Sequence, residues 1–196
     1  MMNNTVPVFS IVFMICTMLA GVAIPVVLIV VFRRRYRCGF KPFLTGAAVM
    51  LLFALVLEQL AHMAILGSSA GSVIKGNIWF YGLYGGLMAG LFEETGRMCA
   101  FRTLLRKDLG NNGNALMYGA GHGGFEAFYL LTIGMINNLV YSLMINAGQT
   151  EQLTGSLSGA QLAAVQSGIQ ALVATPSAMF LVGILERVAA VSAQLS

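Results

Sequence analysis

VPVFSIVFMICTMLAGVAIPVVLIVVF, residues 6–32, runs for 27 positions without a charged side chain. Crossing ~30 Å of hydrocarbon takes about 20 apolar residues as a helix, so this stretch predicts a membrane span. Pro25 is expected to kink it, because proline removes one backbone donor and crowds the preceding turn. The start MMNNTVP has no positive region, so the segment is read as a permanent span rather than a cleaved secretion signal.

Four further stretches follow the same logic: residues 42–66, 78–105, 115–145 and 169–196. The whole chain supports this reading. Of its 196 residues, 58% are hydrophobic and only 9% charged, with a mean hydropathy of +0.81. A soluble domain carries about a quarter charged residues. The expected fold is therefore all-α: a polytopic bundle of about five spans, forming a single integral membrane domain over residues 1–196, in a bacterial plasma membrane with lipid around it. Residues 147–168 are the one long polar connection, read as an external linker with room for a short surface helix. Three cysteines are too few for a disulfide framework or a zinc finger. Cys38 lies beside a basic cluster at a span end, where S-acylation is chemically available, although an inert thiol is the expected state.

Charge orders the loops. Arg33, Arg34, Arg35, Arg37 and Lys41 follow the first span, and Arg106 and Lys107 follow the third. The positive-inside rule puts both loops in the cytoplasm and the N-terminus outside. Trp79, Phe80 and Tyr81 then anchor the outer end of the third span. The net charge of +4 arises in these loops and implies no nucleic-acid partner.

Of seven acidic residues, five fall inside the expected spans: Glu58, Glu93, Glu94, Glu126 and Glu186. His62, His122, Arg97 and Arg187 join them. An ionised group at the centre of a bilayer costs at least ~2.5–3.5 kcal/mol, so such groups face one another or a wet cavity and by default mark a functional site. Glu93 and Arg97 lie one helical turn apart, with Glu94 beside them. Gly82, Gly86 and Gly90 form a small-residue stripe leading to Glu94, the spacing that permits close helix approach. On the fourth span Tyr118, His122, Glu126 and Tyr129 share a sector among glycines. Those glycines read as close-packing positions rather than a phosphate loop, because no strand precedes them. At 1.5 Å per residue from the cytoplasmic ends, Glu93, His122 and Glu126 lie roughly 18, 10 and 16 Å deep, so they can meet in one cavity. Glu58 with His62, and Glu186 with Arg187, are expected to support that site or to lock helices together.

Such a set suits hydrolysis. A partly desolvated glutamate can act as general base on water. A second glutamate paired with arginine supplies a charged scaffold, and an imidazole can orient the water or stabilise developing charge. Glu93 is the favoured base, Glu94 with Arg97 the scaffold, and His122 with Glu126 the water or metal site. The zincin pattern H-E-x-x-H is missing, so a divalent metal such as zinc on His122 and Glu126 stands beside a metal-free mechanism. Two readings from other classes remain: a proton- or cation-coupled transporter using the buried carboxylates, and a non-catalytic scaffold in which the polar cluster only fixes packing.

EETGR (93–97) followed by GHGGFEAFY (121–129), with LEQLAH (57–62) upstream and LER (185–187) downstream, resembles the YhfC-type membrane peptidases. These are distant relatives of the CAAX-processing and bacteriocin-processing (CPBP) proteases. The resemblance implies an intramembrane endopeptidase fold acting on a membrane-anchored or prenylated peptide or protein substrate. Two departures stand out. Arg97 follows the second glutamate by three residues rather than four, and no histidine follows His122, where the wider superfamily carries another histidine-bearing span. By that comparison the chain is expected to be C-terminally incomplete, and its site and activity incomplete with it.

Overall fold

The computed structural model describes residues 5–108 and 110–195, and those residues contain helices and no β-strand. Helix α1 spans Val8–Tyr36 and continues through Pro25. It ends where Arg37 takes φ 52°, a left-handed conformation that costs a non-glycine residue about 1–2 kcal/mol. Helix α2, Lys41–Leu66, opens with Pro42 in its first turn and widens into a π-helical stretch over Met50–Glu58. A short α3, Ser69–Lys75, leads to α4, Ile78–Arg102. Asn77 caps α4, its side-chain oxygen accepting from Trp79 N at 2.9 Å and Phe80 N at 3.4 Å. Helix α5 covers Asn112–Asn146, with a π-helical turn at Phe128–Ile133. After it come α6, Thr150–Thr154, α7, Gly159–Ala174, and α8, Met179–Gln194.

Among the described residues α1, α2 and α5 are each long and apolar enough to cross a membrane. A fourth is added if the bent pair α7–α8 counts as one broken span. Helix α4, the expected third span, has 25 residues, a sufficient length, but its glycines, tyrosines and charged turn make it too polar on average to join that set. The outer surfaces are strongly apolar, with Phe9, Leu83, Leu87 and Leu91 all more than 60% exposed. That exterior suits lipid and not water. The protein is an all-α polytopic membrane protein.

Two expectations need correction. The region 147–168 is helical over much of its length, since α7 already begins at Gly159. The last segment is also not one helix from residue 169. It breaks between Ala174 and Met179 and turns by 97°. Proline causes the break: Pro176 has no N–H, and it drives Thr175 into an extended conformation with ψ 123°.

The described residues form two compact units. The first comprises those up to Ile24 together with Ala127–Ala190. Its core gathers Val6, Met14, Ile145, Leu172 and Phe180. Polar side chains tie it to backbone: Thr17 Oγ1 donates to Phe180 O at 2.7 Å and Thr132 Oγ1 to Met18 O at 3.0 Å. Asn146 pairs with both backbone groups of Val6, at 2.7 and 3.0 Å.

The second unit comprises Pro25–Glu126 together with the described residues from Val191. Its core is Val49, Ala100, Leu105 and Tyr118, with Phe53 and Phe101 against it. Glycines set its helix spacing. A Cβ at Gly96 would strike Val49 and Phe53 of α2, one at Gly46 would strike the backbone of Tyr118 and His122, and one at Gly121 would strike the backbone of Phe43. Both basic loops lie at one end of this unit, because Lys41 Nζ reaches Asp108 Oδ2 at 2.8 Å and Leu104 O at 2.7 Å. Cys38 is buried there, and burial pushes its thiol pKa up from its ordinary value, as an inert thiol requires.

Candidate active site

Helix α4 comes closest to α2 where it carries small residues. Gly96 and Ala100 are buried on that side, and Glu93, about one turn before Gly96, shares their sector. The expected stripe Gly82, Gly86, Gly90 lies elsewhere: a Cβ at any of the three would meet nothing within 4 Å. Glu94, which continues that stripe, is accordingly 65% exposed at its side chain. The face of closest approach on α4 is therefore set by Gly96 and not by the GxxxG pattern.

His122 projects from α5 and is 1% exposed. Its Nε2 lies 3.9 Å from Glu93 Oε2, too long for a hydrogen bond. Neither ring nitrogen has a hydrogen-bond partner among the described residues. A buried polar atom left without a partner costs about 1–3 kcal/mol, so this imidazole is kept against a penalty. Tyr118, one turn away with ring centroids 6.2 Å apart, is in the same state: its hydroxyl is buried and unpartnered.

Arg97 binds away from Glu93. Its Nη2 donates to Gln194 Oε1 at 2.6 Å and lies 3.5 Å from Glu94 Oε1. Glu93 Oε2 in turn accepts from Gln194 Nε2 at 2.6 Å. Gln194 thus bridges the arginine and the glutamate nearest His122, and sequence reading did not single it out. One signal was available: Gln194 is the one amide side chain in VAAVSAQLS, whose other polar side chains are two serines. Gly119 and Gly123 admit it, since a Cβ at Gly119 would strike the Gln194 backbone and one at Gly123 would crowd Val191 and Gln194 Cβ. A cavity of about 330 Å³ opens beside the bridge, lined by Arg97, Phe101, Asn112, Tyr118 and Gln194 among others.

Glu126, one turn beyond His122, is half-buried and within electrostatic reach of Glu93. Tyr129, expected on the same sector, is exposed. Glu58 is buried and pairs with His62, Oε1 to Nε2 at 3.3 Å, while His62 Nδ1 meets Tyr84 Oη at 2.8 Å. Arg187 Nη2 meets Glu186 Oε1 at 2.6 Å; that adjacent pair belongs to the first unit, whereas Glu93 and His122 belong to the second.

Fold and site together define a helical membrane protein in which a buried imidazole faces a half-buried carboxylate beside a cavity. The chain belongs to the YhfC intramembrane metalloprotease family, whose family model matches residues 20–196. It is 35% identical over 174 residues, 88% of its length, to the uncharacterized membrane protein YhfC of Bacillus subtilis (strain 168). The chain spans 66% of the length of that relative. No solved structure matches it.

The family description implies a metal. Catalytic zinc generally takes three protein ligands. His122 offers two unpartnered nitrogens and Glu93 a carboxylate 3.9 Å away, yet no three His, Cys, Asp or Glu side chains converge among the described residues. The donors present among the described residues do not complete a metal site.

Proposed function

We propose that this chain carries the hydrolytic site of an intramembrane peptidase acting on a peptide bond in a membrane-anchored or prenylated substrate. The observation that carries the reading is His122, buried with both nitrogens unpartnered and facing Glu93. A protein retains such a destabilising arrangement where chemistry uses it. Glu93 takes a proton from water while the water oxygen adds to the peptide carbonyl carbon. His122 orients that water. The C–N bond then breaks, the amine nitrogen takes the proton from Glu93, and the products are a carboxylic acid and an amine. Arg97, tied to Glu94, keeps positive charge close by as the carbonyl oxygen becomes negative. The cavity beside Gln194 supplies the route for water.

The test uses the full-length protein in lipid nanodiscs and a single-span peptide carrying a fluorophore and a quencher. Cleavage that depends on Glu93 and His122 is expected. Cleavage unchanged in Glu93→Gln and in His122→Ala would remove the assignment.

A second reading, proton transfer across the membrane, draws on the hydrogen-bonded series Glu58–His62–Tyr84, since intramembrane carboxylate–imidazole chains carry protons in pumps. Proton flux into liposomes that Tyr84→Phe abolishes, without any peptide cleavage, would favour it.

A further inference from the structure

Gln194 is the only side chain that bonds both Arg97 and Glu93 in the hydrogen bonds described for this unit. Its orientation is dictated by chemistry. Guanidinium only donates, so it must face the amide oxygen; an ionised carboxylate only accepts, so it must face the amide N–H. The result is a primary carboxamide clamped at both ends, C=O on Arg97 and N–H on Glu93, each at 2.6 Å. Both bonds are charge-assisted, the stronger class.

A peptide bond presents the same two groups in the same order. We infer that Gln194 occupies the place of the scissile amide, so that Arg97 is the donor to the substrate carbonyl oxygen, Glu93 meets the leaving nitrogen, and Gln194 must withdraw before substrate binds. This rests on the peptidase reading of the same site and extends it. Arg97 becomes the group that stabilises the oxyanion rather than a remote scaffold. Glu93 first takes the water proton and then returns it to the nitrogen it already contacts in the Gln194 pose. Charge on the reacting carbonyl is thereby met by a fixed cation, and the nitrogen leaves as a neutral amine. The site as folded is occupied by its own chain, and the adjoining cavity gives the displaced side chain somewhere to move.

The clamp's ligand chemistry is an amide, so butyramide serves as the probe. Its binding to the full chain in phosphatidylcholine nanodiscs is measured by saturation-transfer NMR, with empty nanodiscs subtracted. Gln194→Met keeps the side chain's length and removes both amide groups. A self-occupied site weakens apparent binding by the fraction of time it is closed, so Gln194→Met is expected to bind butyramide about tenfold tighter or more. Adding Arg97→Met to Gln194→Met is expected to abolish that gain. Gln194→Ala replaces the methionine variant if gel filtration shows the latter misfolded. Equal butyramide binding in wild type and in the Gln194 variants overturns the inference, as does a gain that survives loss of Arg97. Butyramide binding with the expected Arg97 dependence, but no cleavage of the quenched peptide by any variant, upholds the clamp and overturns the peptidase reading.

Discussion

The two compact units differ in how completely they satisfy buried polarity. In the first, Thr17, Thr132 and Asn146 each spend their polar atoms on a backbone group, and Ser10 meets Ser177 hydroxyl to hydroxyl at 2.8 Å. In the second, the imidazole of His122, the hydroxyl of Tyr118 and the side-chain oxygen of Asn114 are buried with no hydrogen-bond partner among the described residues. Backbone-directed bonds lock helices and ask for nothing further. Unpartnered atoms destabilise the fold until something else binds them. The lesson is that buried polarity alone does not mark a site inside a membrane protein; what sets His122 apart is that neither of its nitrogens is satisfied among the described residues.

That contrast can be broken at several points. The largest effect is expected in the second unit: Glu93→Gln lowers peptide cleavage by about 10²–10⁴-fold, the usual worth of a general base, with no change in thermal unfolding. Next comes Gly121→Val, which drives a side chain into the Phe43 backbone and should cost about 1–3 kcal/mol by overpacking, read as a lower midpoint of thermal unfolding in detergent. In the first unit Asn146→Leu strands both backbone groups of Val6 and should cost about 1 kcal/mol while leaving the kcat of the cleavage assay intact. Tyr118→Phe should go the other way. It removes a hydroxyl that has no partner, so stability should stay level or rise by up to about 1 kcal/mol. A fall there would mean the hydroxyl is bonded after all. The smallest effect is chemical: Cys38, buried and with its thiol pKa raised, should react with maleimide more slowly than a free cysteine, and a thiolate lost to burial is the cause.

Much of this was legible in the chain. Long apolar runs gave α1, α2 and α5 to within a few residues, because span length is dictated by the bilayer and not by subtle packing. Glu93 and His122 could be brought together from depth along two helices alone, and the glycines around His122 do serve close packing. The GxxxG stripe misled, since spacing shows that glycines share a face but not which neighbour that face meets. It also carried Glu94 into the interior, where the fold keeps only Glu93. The role of Gln194 was out of reach for another reason. A lone amide has no characteristic spacing, and its role appears only once Gly119 lets that backbone come close. Pro176 was visible, but its effect depends on whether a helix is already running when the proline arrives, and α7 was.

The π-helical stretch Met50–Glu58 bears on how such a chain can change over time. Each α-helical residue turns the chain by about 100°, and a wider turn absorbs an extra residue so that the helix after it keeps close to the phase it would have without that residue. Val49 and Phe53 lie against Gly96 near its start, whereas His62, paired with Glu58 at its end, meets Tyr84 beyond it. Deleting one residue between them would let the helix tighten to the α form and would keep His62 on the side that faces Tyr84. Insertions and deletions are ordinarily confined to loops. Here a membrane helix contains a place that can absorb a single one while the same side chains go on meeting.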